Sequence, residues 1–210
     1  MTIMNKILVN EKELVIKSDD KLELVENTNL IFQNQEAIEV TLYLKASITM
    51  NIYFQRSSKV ILHIFQEDVS LTMNYHQQKE NSEVKVFHRI INNSNMSSTI
   101  NIYQESSNVI GNYYHHGLNK GQDLLLTVNG YIPKDLHSCI LNQENKIITN
   151  NMESVRIRPN LYVDTQDVIA NHGAYIGNFP QDNIFYLQSR GLNKNEATNL
   201  LVKGFLWLSE

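Results

Sequence analysis

His172 sits in Ala170-Asn171-His172-Gly173-Ala174, at the end of the last expected strand, where small neighbours let backbones approach closely and leave an imidazole room. A neutral imidazole suits iron or zinc, so His172 is the metal-ligand candidate of this chain. One ligand makes no metal site. The competing reading is a histidine that caps the end of a strand stack through its ring nitrogens. His115-His116 is an adjacent pair, but neighbouring side chains on a strand point to opposite faces and cannot easily grip one ion. His63, His76, His88 and His137 stand alone in strand-like text and read as core or surface residues.

A sulfur-accepting thiol needs a lowered pKa and some exposure. Cys139 has only Lys134, His137 and Lys146 nearby as cations, and reads as buried and inert. As the single cysteine it can form no internal disulfide, which fits a reducing cytoplasm. Asp164, Asp167 and Glu153 are the carboxylates to test for glycoside hydrolysis, which needs two at a defined separation. Asp164 and Asp167 lie in VDTQD, a polar turn. No G-x-x-x-x-G-K-[ST] or G-x-G-x-x-G occurs, so no ATP site is expected. A net charge of −4 and the lack of a Lys/Arg cluster argue against nucleic acid. No apolar run reaches the roughly 18 residues of a membrane-spanning helix, and MTIMNKILVNEKEL meets charge too early for a signal-peptide core.

The elements that must position these residues follow from hydrophobic patterning. At 210 residues, with 42% hydrophobic and 19% charged content, one globular domain is expected. Apolar residues alternate with polar ones in runs beginning at Ile38, Ile48, Val60 and Val69, the period of a strand with one buried face. Regular spacing of this kind fits a sandwich or barrel, or a solenoid with two strands per coil, and does not choose between them. Residues 107–145 are less regular, with Gly111, Gly117, Gly121 and Gly130 read as turns or bulges. The 27 asparagines are scattered and are discounted as turn markers. Near the C-terminus, two amphipathic helices meet at Ser189-Arg190-Gly191. Gly191 suits a C-terminal cap, and Asn193 with Glu196 makes a capping box. Ala197, Leu200, Leu201 and Phe205 share one helix face, which Trp207-Leu208 extends. Phe185, Tyr186 and Arg190 are the surface candidates here, Tyr and Arg being types enriched at binding hot spots, although packing within the chain also explains such residues.

Several of these segments fall in a fixed order: Ile147-Ile148, Pro159-Asn160-Leu161-Tyr162-Val163, His172-Gly173-Ala174, Phe185-Tyr186-Leu187-Gln188-Ser189-Arg190-Gly191, then Glu196-Ala197, Leu200-Leu201 and Gly204-Phe205. In that order they resemble the C-terminal core of the SufB/SufD family, the scaffold subunits of the SUF iron–sulfur assembly machinery. The resemblance implies a mainly β fold, a right-handed parallel β-helix over residues 1–178, followed by a helical cap or docking segment over 179–210. It implies a non-catalytic cytoplasmic scaffold that pairs with a SufB-like subunit, or with itself, through its last strands. It also implies that a SufC-like ABC ATPase docks on the C-terminal helices, with Phe185, Tyr186, Arg190, Gly191, Glu196 and Phe205 as partner-binding candidates. His172 matches a histidine implicated in cluster building at the subunit interface. No tightly bound cofactor is expected, only a transient Fe–S cluster or iron at a shared interface. Aligned from Pro159, the sulfur-handling cysteine of SufB-type members falls at Glu144 rather than Cys139, which makes the chain SufD-like. Family members are longer, so the chain reads as a minimal version. A β-helix protein acting on or binding carbohydrate, with an acidic or aromatic groove, is the alternative from another class. A diverged member with a regulatory role is a third reading.

Overall fold

The computed structural model describes residues 12–207 and the backbone of residues 7–9; Leu208 lies outside the described residues. The strands are β1 (Ile7–Val9), β2 (Glu13–Ile16), β3 (Asp20–Leu24), β4 (Thr28–Phe32), β5 (Ile38–Leu44), β6 (Ile48–Phe54), β7 (Lys59–Glu67) and β8 (Leu71–Gln77). They continue as β9 (Glu83–Asn92), β10 (Met96–Gln104), β11 (Ile110–Asn119), β12 (Leu124–Ile132), β13 (Cys139–Thr149), β14 (Val155–Val163) and β15 (Val168–Gly177). Odd strands form one sheet, in the order β1 to β15, and even strands form the other. Every pairing is parallel and joins a strand to the next but one in the chain. Each coil therefore gives one strand to each sheet. This is a parallel β-solenoid, and it settles the choice that strand spacing alone left open.

Period-two patterning builds the core. Inward residues of successive coils stack in register, as in Leu22↔Leu42 and Leu42↔Ile64, and merge into one apolar cluster between the sheets. The asparagines discounted in the sequence form a ladder along the even sheet. Asn29, Asn51, Asn74, Asn101, Asn129 and Asn160 are joined by five side-chain bonds of 2.8 Å. Beside it, the rings of Tyr53, His76, Tyr103, Tyr131 and Tyr162 stack with centroids 4.8–4.9 Å apart. That is the inter-strand spacing itself.

Residues 107–145 are as regular as the rest. Gly111 and Gly117 lie within β11 and Gly130 within β12, so three of the four glycines read as turns or bulges are strand residues. A Cβ on Gly130 would sit 2.5 Å from Gln143 Nε2, so its missing side chain makes room for a neighbour in the interior.

Helix α1 (Gln181–Ser189) ends with Gly191 at φ 96°, where Gly191 N donates to Gln188 O and Leu192 N donates to Leu187 O. This double bond is a Schellman cap. Helix α2 (Lys194–Phe205) opens with the expected capping box: Glu196 N donates to Asn193 Oδ1, and Asn193 N donates to Glu196 Oε2. Among the described residues, no helix is long and apolar enough to cross a membrane.

Candidate functional site at the open end of the solenoid

His172 lies in the middle of β15 rather than at the end of a strand. By register it continues the inward-facing column of Val86, Tyr113 and Gln143. The first three are buried; His172 is exposed, because no strand follows on its far side. β13 has no exposed residue, whereas six of the ten in β15 are exposed, among them Ile169 and Tyr175. Asn145 Nδ2 donates to Gly173 O from below, at 3.0 Å, and steadies the backbone next to His172.

The two strands that end the sheets on the C-terminal side differ. β14 carries Pro159 at its centre and exposed Arg156 and Arg158. Proline lacks an N–H donor and charges oppose edge pairing, two devices that blunt an edge. β15 reads VIANHGAYIG, with no proline and no Asp, Glu, Lys or Arg. It is the pairing-competent edge.

Beneath it the interior is polar. His88 and His115 are fully buried, with Nδ1 atoms 3.0 Å apart, and His115 is in register with Asn145. Burial holds His88 down to about 3 and His115 well below the ordinary histidine value, so both rings are neutral. One Nδ1 must then donate to the other.

His116, on the opposite face from its neighbour His115, lies under the end of α2. Its Nδ1 donates to Phe205 O at 2.9 Å and its Nε2 to Glu144 Oε1 at 2.7 Å. Both partners only accept, so the ring makes both bonds when it carries two protons. Burial opposes ionisation of Glu144, but hydrogen bonds from Lys146 and His116 outweigh it and hold the carboxyl below its ordinary range. Buried Arg89 donates through Nε to Leu206 O at 2.6 Å and through Nη2 to Trp207 O at 3.1 Å. Arg89 and His116 thereby satisfy carbonyls that a helix end leaves unpaired. Phe205 and Trp207 stack on His116 at 4.6 and 4.0 Å. The helical pair is thus latched onto the outer face of the odd sheet, over residues of β9, β11 and β13.

The other candidates sort as follows. Phe205 packs against His116, while Gly191 and Glu196 form caps. Phe185, Tyr186 and Arg190 are exposed, with the Arg190 guanidinium 5.3 Å from the Tyr186 ring. The histidines read as solitary have partners. His63 accepts from Arg89 and donates to Glu39, His76 meets Glu105 between two tyrosine rings, and His137 bonds Ser107. Cys139 is buried, its thiol pushed up by burial and directed at the Ser106 and His137 carbonyls. Asp164 and Asp167 are exposed in the turn after β14, and Glu153 is exposed in the short helical turn before it. β6, β8, β10, β12 and β14 contain no Asp or Glu, so the even sheet lacks the paired carboxylates a glycosidase requires. Among the described residues, no group of three His, Cys, Asp or Glu could hold a metal. His172 alone fits an iron or cluster only as one ligand of a shared set.

Residues 129–205, from within β12 through α2, match the family model described as SUF system FeS cluster assembly, SufBD core domain. An iron–sulfur cluster assembly SufBD family protein of Mycobacterium leprae is 37% identical over 62 residues, 29% of this chain and 16% of that protein. Iron–sulfur cluster assembly protein SufD of Escherichia coli is 33% identical over 61 residues, 29% of this chain and 14% of its own length. SufD of Bacillus subtilis is 44% identical over 48 residues, 23% of this chain and 11% of its own. The match thus spans under a fifth of each relative and falls on the open end and the latched helices.

Proposed function

Since residues 129–205 make this chain a member of the SufB/SufD family, we propose that it is a non-catalytic cytoplasmic scaffold subunit of iron–sulfur cluster assembly. The observation that carries this reading is the bare edge of β15, with His172 at its centre. A partner strand laid along that edge takes up backbone groups that otherwise face water. It also brings its own side chains beside His172, the one way a lone imidazole becomes part of a ligand set for iron or a transient cluster. A SufB-like subunit, or a second copy, is that partner. The exposed Phe185, Tyr186 and Leu200 offer the helical pair to an ABC-type ATPase. Co-purification with tagged SufB-like and SufC-like proteins tests the reading. Retention of the SufB-like partner, lost in an Ile169→Lys/Tyr175→Lys variant that still folds, is expected. No retained partner at micromolar concentration overturns it.

A further inference from the structure

Between the helical pair and the strand ends of β11 and β13 lies a cleft of about 530 Å³, within the size range of small-molecule sites. Its floor is apolar: Leu118, Ile148, Phe179, Ile184 and Val202 line it. Lys120, just after β11, and Lys194, the first residue of α2, also line it, and no Asp or Glu does. Neither lysine has an ion-pair partner among the described residues. Neutral polar residues, among them Asn151, Asn178, Gln181, Thr198 and Asn199, also line it.

Two unpaired cations over an apolar floor, in a chain of net charge −4, select for negative charge joined to hydrocarbon. We propose that this cleft binds a small amphipathic anion. Its apolar body lies on the Leu118–Ile148–Phe179 floor, and its head, a carboxylate or phosphate monoester, is held between Lys120 and Lys194. The two lysines belong to different elements, one on the solenoid wall and one on the helical pair. A bound anion therefore bridges them and favours the docked arrangement by mass action. Nothing in this proposal depends on the scaffold reading.

Calorimetric titration of the whole chain with decanoate, decyl phosphate and uncharged decanol tests it. Both lysines are exposed, so at least one anion binds about tenfold more tightly than decanol, the scale of two exposed charge contacts, and the stronger of the two identifies the head. Lys120→Gln/Lys194→Gln, with unchanged circular dichroism, loses that preference; Phe185→Ser, on the exposed aromatic patch, keeps it. Affinity of the parent chain for the anion falls as salt rises, a readout independent of any variant. The proposal is overturned if neither anion binds, if decanol binds as well as both, if the lysine variant is unaffected, or if salt has no effect.

Discussion

The middle coils and the last coil follow one stacking rule, and they differ in what lies beyond them. Asn74 donates to Asn51 and accepts from Asn101, and Tyr103 is stacked between His76 and Tyr131. At the last coil, among the described residues, Asn160 only donates, to Asn129, and Tyr162 stacks only on Tyr131. Parallel stacking has no internal stop, so the final coil must be blocked or used. Pro159, Arg156 and Arg158 block β14, whereas β15 is left free to add a strand.

The largest expected effect separates the buried histidines of the middle from the rest of the molecule. His88 and His115 resist protonation in the folded chain, yet bind protons near pH 6.5 when unfolded. The unfolded state then holds more protons, so stability is lost as pH falls below about 6.5, by up to about 1.4 kcal/mol per pH unit for each ring. Urea unfolding at about pH 7 and about pH 5 should show a shallower loss in a His88→Leu/His115→Leu variant; an equal slope contradicts their being buried neutral.

Next comes the latch. Arg89→Ala leaves two helix-end carbonyls without a charged donor, a cost of about 2–4 kcal/mol to docking. Hydrogen exchange should accelerate across α2 and not across β5–β8, while Arg190→Ala on the exposed side stays within about 0.5 kcal/mol of the parent.

A paired glycine test probes the same contrast. Gly130→Val overpacks the interior against Gln143 and should destabilise by about 1–3 kcal/mol. A Cβ on Gly173 meets nothing within 4 Å, so Gly173→Ala should leave the thermal midpoint nearly unchanged. The smallest difference is in the ladder. Asn101→Ala removes two amide bonds and Asn160→Ala one, so at about 1 kcal/mol per bond the first should cost roughly twice the second in urea titration.

Alternation in runs such as Ile38-Val40-Leu42-Leu44 made the strands legible, and the caps at Gly191 and Asn193 made the helices so. The ladders were legible too, as Thr-x-Asn-x-Tyr/His recurring from Thr49, Thr72, Thr99 and Thr127, but were hidden by discounting asparagine as compositional noise. Gly111 and Gly130 misled because a chain read in one dimension does not reveal what faces it inside the solenoid. The latch was not legible: Arg89 and Leu206 are 117 residues apart, and no periodicity links a strand's outer face to a helix carbonyl. His172 stood out through its small neighbours, but its place mid-strand on a free edge emerged only from register.

The most direct test of the free β15 edge is hydrogen exchange of the chain alone and mixed with a SufB-like partner. Amides of residues 168–177 should become protected on mixing, with those of β14 changing less. A complex that forms while β15 exchanges as fast as before would contradict the account.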